Sequence, residues 1–172
     1  MTQIHFRQAT VDDVEPLART VIEGVDDYPS FAPASWAAPS FEAVVDHLRE
    51  SLADEQVWCL VAESEGELVG QITVLPAACA AHPVDDPSLG HISNLFVRRD
   101  LWGTGLAHDL HRAAVDAALE RGFKELRLFV AAGQARARRF YEREGWHSVG
   151  DAFDDPAPGL TMVEYRHRLG DR

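Results

Sequence analysis

Cysteine is scarce in this chain, with two among 172 residues. Cys59 lies in an apolar, strand-like run and Cys79 in an alanine-rich loop. That spacing builds neither a metal site nor a disulfide framework, so both read as free thiols. Long apolar runs are missing too, and nothing approaches the roughly 18–20 residues needed to span a bilayer. Met1-Thr2-Gln3-Ile4-His5 passes straight into a strand-like segment with no basic-then-apolar leader. The expected location is the cytoplasm. Positive charge is in deficit: a formal net charge of -12 argues against nucleic acid or an anionic membrane as partner. It suits a cationic substrate, and it also serves solubility. No internal repeat or low-complexity tail is visible. The length fits one domain over 1–172, since two halves would each be marginal.

The elements present alternate in type. Ile4 to Gln8 alternates as a half-buried strand. Thr10 can cap a helix carrying Val14, Leu17, Ala18, Val21 and Ile22, stopped by Gly24, with Pro16 demanding a kink or a late start. Residues 25–39, rich in Pro, Ser, Asp and aromatics (Tyr28, Phe31, Trp36), form a long irregular connection of the kind that often serves as a lid. Ser40 can cap a second helix with Phe41, Val44, Val45, Leu48 and Leu52 on one face. Val57–Glu63 and Leu68–Leu75 read as a hairpin about Gly66, and 76–90 as a loop. His91–Val97 is the central strand, and the helix after it runs to Gly122. Then follow a strand at Glu125–Val130, a helix at Gln134–Glu144, a short strand at Trp146–Gly150, an Asp/Pro turn at 154–159 and a last strand at Leu160–Arg168. The order β α α β β β α β α β β is that of a mixed α+β sheet protein.

The stretch Leu95 to Ala107 joins an apolar strand through Gly103 and Gly105 to a helix, which brings backbone N–H groups and a helix N-terminus toward a possible anion. Two readings stand for a glycine pair placed there. One is an anion cradle; the other is a purely structural strand end. The stretch lacks the Gly-Lys-Ser/Thr ending of a nucleoside-triphosphate loop and the third glycine of a dinucleotide fingerprint.

About thirty residues on, Gln134 to Trp146 repeats a strand-to-helix arrangement. Together the two segments resemble the GNAT superfamily of acyl-CoA-dependent N-acetyltransferases. Trp102-Gly103-Thr104-Gly105-Leu106-Ala107 matches its pyrophosphate loop, Arg/Gln-x-x-Gly-x-Gly/Ala. Gln134 through Trp146, with Phe140-Tyr141, matches its later motif, Asn-x-x-Ala-x-x-Phe-Tyr-x-x-x-Gly-Phe. Trp102 stands where Arg or Gln is usual, and Gln134 where Asn is usual. The first departure removes a side-chain contact to the pyrophosphate and leaves the backbone amides.

The resemblance implies a mixed, mostly antiparallel sheet of about seven strands flanked by four helices and splayed between the fourth and fifth strands. It implies acetyl-CoA as co-substrate, lying in the splay with Phe96 and Val97 along its pantetheine arm. Arg98, Arg99, Arg136, Arg138 and Arg139 are candidate phosphate partners, and each alone also reads as a solvated surface residue. Tyr141 aligns with the family's general acid, which protonates the departing thiolate; the alternative is a packing aromatic. No carboxylate stands on 91–94. His91 has the intrinsic basicity to accept a proton through a water, and it also reads as a structural histidine. His108 falls beside the cofactor loop.

Asp26-Asp27, Asp85-Asp86 and Asp154-Asp155 lie in three loops, two of which border the acceptor site in the family. Acidic walls would favour a small cationic amine, whereas Asp is also a turn residue. A protein N-terminus or lysine as acceptor, and a non-catalytic acyl-CoA sensor, are the alternative functions. No metal is implied. A homodimer through the last strand or its neighbours is compatible with the family and not required by the sequence.

Overall fold

The computed structural model describes residues 3–170. Seven strands form one sheet in the order β1-β2-β3-β4-β5-β7-β6. They are β1 (Ile4–Gln8), β2 (Trp58–Ser64), β3 (Glu67–Pro76), β4 (Leu89–Val97), β5 (Glu125–Ala131), β6 (His147–Asp155) and β7 (Leu160–Arg168). Among the described residues only β4 and β5 run parallel. The helices are α1 (Val14–Gly24), α2 (Phe41–Ala53), α3 (Leu106–Glu120) and α4 (Ala135–Arg143).

Period-two alternation assigns the two faces. Leu60, Ala62, Ile72, Val74, Ile92, Leu126 and Leu128 face α3, where Leu106, Leu110, Ala114 and Ala118 complete a cluster that also takes in Tyr141 of α4. Cys59 and Val61 point the other way, onto Leu17 and Ala18 of α1 and Val44 and Leu48 of α2. Caps place the helices. The Ser40 hydroxyl accepts the Ala43 N–H at 3.2 Å and starts α2. α1 starts late, after a 3-10 turn at Val11–Asp13, so Pro16 falls in its first turn, where no N–H is required. The Asp13 carboxylate beneath it takes both terminal nitrogens of Arg7 at 2.8 and 2.9 Å.

Two elements differ from the sequence reading. β6 runs on to Asp155, beyond the expected end at Gly150, because a bulge between Val149 and Phe153 lets it keep pairing with β7. Gly150, with φ of 68°, sits within that bulge rather than ending the strand. In β4 the alternation holds through Ser93 and breaks at Asn94, whose φ is 55°. Thr73 pairs with Ser93 but Gln71 with Phe96, so β4 carries one extra residue there. Asn is among the few residues that adopt this conformation readily.

β4 meets β5 over three residues only, Leu89–His91 against Glu125–Arg127, and the strands then part. At this short seam a β-carbon on Gly90 would lie 2.7 Å from Leu126 and 2.9 Å from Phe123. Glycine is needed there for closeness, not for turning. Gly90→Ala is expected to destabilise the protein by about 1–3 kcal/mol, measured by urea unfolding; an unchanged midpoint would remove the seam from the account.

Two buried histidines are held neutral. The Trp146 indole donates to His111 Nε2 at 2.8 Å, which requires that nitrogen to be unprotonated. Burial pulls His111 down to about 4 and, with Arg127 nearby, His91 to about 3. Both values lie below the ordinary histidine range, so the unfolded chain binds protons that the folded one does not. Stability is therefore full above about pH 6.5 and is lost as pH falls through about 4 for His111 and about 3 for His91, by roughly 3 kcal/mol per histidine at pH 4.5. Urea midpoints at pH 7 and 4.5 should show this slope, and His111→Gln should lessen it.

Candidate active site

Past the seam, the edge of β4 that faced β5 has no strand beside it. A cleft of about 570 Å³ opens there, between β4, the start of α3, α4 and the end of α1. It gathers most of the residues singled out in the sequence: Phe96, Val97, Trp102, Gly103, Gly105, Leu106, Ala107, Gln134 and Tyr141. Four others are placed elsewhere. The Thr104 hydroxyl donates to the Leu101 carbonyl at 2.6 Å. Arg98 is engaged by Asp100 at 2.7 Å and Glu67 at 2.9 Å. Arg138 turns toward the Tyr165 hydroxyl at 3.1 Å and the Ala132 carbonyl at 3.1 Å. His91 is buried behind the seam, where its Nδ1 accepts from Arg127 Nε at 3.3 Å.

The turn into α3 is made by two left-handed glycines, Gly103 at φ of 80° and Gly105 at 93°. Neither is tight for space, so conformation is what demands glycine. The first turn of α3 thereby faces the cleft with N–H groups that no helical carbonyl can reach. Trp102 folds back over this turn. Its indole N–H donates to the Val97 carbonyl at 2.8 Å, and the guanidinium carbon of Arg136 stands 3.1 Å from its ring centroid, with that of Arg99 at 5.1 Å. Burial, with the neighbouring Arg99 and Arg143, pulls Arg136 below its ordinary pKa against the opposing charge of Asp27. Arg139 and Arg143 line the same cleft.

Glu23 and Asp27 also line the cleft, where α1 gives way to the long loop, and Asp27 lies near enough to Arg136 to oppose part of its charge. Glu144 lies at the α3–α4 side, where His108 reaches it at 3.0 Å. Tyr141 is packed against Phe140 and Trp146. Burial, reinforced by nearby Tyr28, raises its hydroxyl pKa and keeps it protonated. Of the aspartate pairs, Asp86 caps the Ser88 turn at 2.9 Å and Asp154 holds Thr161 at 2.7 Å. Asp27 lines the cleft, and Asp155 takes a histidine, His82, at 2.7 Å.

Residues 25–40 arch over the open end of β5. The Phe31 ring sits where a β-carbon on Gly133 would be, 2.6 Å from that position, and Trp36 lies 3.7 Å from the corresponding position at Gly159. Glu23 and His82 escaped the sequence reading, and Tyr28 stood there only as one aromatic of the 25–39 connection. Glu23 offered no motif, and the other two owe their places to packing between distant loops.

Comparison with known proteins agrees with this geometry. The family model described as Acetyltransferase (GNAT) family matches residues 22–146. An uncharacterized N-acetyltransferase of Archaeoglobus fulgidus is 30% identical over 144 residues, covering 80% of this chain and 89% of that protein. A GNAT-family acetyltransferase of Staphylococcus aureus superposes with a TM-score of 0.75 at 14% identity, covering 98% of this chain and all of the other. The aminoglycoside acetyltransferase AAC(6')-Ib, solved in complex with coenzyme A, gives 0.72 at 21% identity, covering 96% of this chain and 95% of its own. At such identities the solved structures show the shared fold. Among the described residues no helix is long and apolar enough to cross a membrane, and no His/Cys/Asp/Glu group is placed to hold a metal ion. The chain belongs to the GNAT family of N-acetyltransferases, acyltransferases that draw on acyl-CoA.

Proposed function

We propose that this protein moves the acetyl group of acetyl-CoA directly to a primary amine, with a small cationic amine favoured. One observation carries the reading: a single cleft is lined by a helix N-terminus with its arginines, by a protonated tyrosine, and by the acidic side chains Glu23 and Asp27, the latter close enough to act on Arg136. The helix terminus and arginines suit an anionic donor, and nearby carboxylates a cationic acceptor.

The glycine turn and the first turn of α3 offer N–H groups to the pyrophosphate, and Arg136, Arg99 and Arg139 supply charge around it. The free edge of β4 at Phe96 and Val97 pairs with the pantetheine amides in the manner of an added strand. The Val97 carbonyl has two lone pairs, so the Trp102 indole leaves one for the ligand. A β4 backbone N–H just past the Asn94 bulge stabilises the oxyanion as nitrogen attacks the thioester carbonyl. Tyr141 donates its proton to the thiolate as the C–S bond breaks. A phenol kept protonated by burial can give that proton only to a base as strong as the leaving thiolate, so the transfer waits for bond breaking.

Acetyl-CoA is expected to bind in calorimetry, and absence of binding at near-millimolar cofactor would overturn the reading. Arg136→Ala should raise its Kd about tenfold, whereas Arg98→Ala, already engaged by carboxylates, should change it less than threefold. A panel of small amines and peptides, followed by thiol release, identifies the acceptor class; activity on peptides alone would exclude the small amine. Tyr141→Phe should lower kcat by about 10²–10³ with Kd for acetyl-CoA unchanged, and an unaltered kcat would dismiss Tyr141 as the acid.

A further inference from the structure

Arg127 and Phe129 alternate with Leu126 and Leu128 and so occupy the face of β5 turned away from α3. Residues 77–88, between β3 and β4, fold across that face. Arg127 is 2% exposed, and its two terminal nitrogens donate to the carbonyls of Ala81 and His82, each at 2.8 Å. Among the described residues no carboxylate forms an ion pair with it. The guanidinium is used to clamp a loop. The clamped residue, His82, holds a φ of 51°, a conformation that costs a side chain other than glycine about 1 kcal/mol or more and persists only where its surroundings impose it.

From that clamp the His82 imidazole packs by its edge on Phe129 at 5.2 Å and on Phe153 at 5.5 Å, and Nε2 meets Asp155 Oδ2 at 2.7 Å. Strand register gives its height. Phe153 lies opposite Met162 and Met162 opposite Ala131, so the ring stands beside the stretch of β5 beyond Arg127, where β4 has already departed. The turn that begins at Asp155 is also met by Trp36, at Gly159. Loops 25–40 and 77–88 thus come down on one hairpin and bracket an aromatic floor at the mouth of the splay. The His82 side chain remains 47% exposed there, while that of Asp155 is 8% exposed.

We propose that His82, oriented by Asp155, is the general base that deprotonates the acceptor ammonium, whose carbon body rests on Phe129 and Phe153. This assignment rests on the acetyl-transfer reading above. An ionised carboxylate only accepts hydrogen bonds, so His82 carries its hydrogen on Nε2 and keeps the Nδ1 lone pair for the substrate. One ammonium proton passes to Nδ1, directly or through a water, and the imidazolium formed is stabilised by Asp155. The freed amine forms the C–N bond. As the tetrahedral intermediate collapses and the C–S bond breaks, nitrogen sheds a second proton, which replaces the one Tyr141 gives the thiolate. The imidazolium then releases its proton to solvent, so an ammonium and a thioester become an amide, a thiol and one free proton.

The charged and titratable groups facing His82 are Asp155 on β6, Arg127 on β5 and, beyond Phe129, His91 on β4 and the ion pair of Glu164 with Arg166 on β7. His82→Asn tests the role, because Asn tolerates the backbone and is no base. It should lower kcat/KM for the amine about 10²-fold or more, abolish the acidic limb of the pH profile and leave the Kd for acetyl-CoA within twofold. Asp155→Asn should lower kcat/KM for the amine about tenfold, since the imidazolium formed during transfer loses its counter-charge. Long-range proton–nitrogen NMR of the wild type without substrate should show the Nε2–H tautomer. A His82→Asn enzyme with its rate and acidic limb intact, or the Nδ1–H tautomer, would overturn this role and leave acetyl transfer standing. A wild type that binds acetyl-CoA and acetylates no amine would overturn the proposed function and this role together.

Discussion

The parting of β4 from β5 is the constraint on which the rest of this molecule depends. A sheet gains by pairing its strands fully, yet here the central parallel pair is held over three residues while β5 pairs along its whole length with β7. The opening is built in. The extra residue at Asn94 turns β4, Gly90 lets the short seam close tightly on Leu126 and Phe123, and α3 covers both strands from one side. Exposed strand edges expose unpaired N–H and C=O groups, and in this position they are what a ligand amide can use.

Charge is arranged locally against a contrary background. The chain carries a formal net charge of -12, yet the cleft collects Arg99, Arg136, Arg139 and Arg143 beside Glu23 and Asp27. A net charge acts at long range and is screened within about 10 Å at ordinary ionic strength. The cleft is therefore governed by the nearest side chains. The global acidity describes encounter with solutes, and the side chains lining the cleft describe what fits.

Most elements could be read from the sequence because they are specified locally. Ser40 starts a helix by its own hydroxyl, and the glycine turn before α3 needs positive φ whatever surrounds it. The order of strands and helices followed from such signals, and the paired motifs indicated the family. Features that depend on a partner were hidden. β6 extends because β7 continues beside it, and Asn94 bulges against β3. Trp102 looked like a lost arginine; in the folded chain it is the ring on which Arg136, thirty-four residues later, lays its guanidinium. His91 looked available on a strand start, and burial beside Arg127 removes it from the cleft. His82 had no local pattern at all, since its surroundings come from β5 and β6.

Gly133 has a reach beyond its own position. The Phe31 ring occupies the space that any other residue there would claim for a β-carbon, so the height of the 25–40 loop over the sheet is set by a single hydrogen atom. Width of an opening is usually tuned by the side chains that line it. In this fold a side chain that is missing sets how closely the loop can approach, which makes residue 133 a spacer: any carbon added there would have to displace the Phe31 ring.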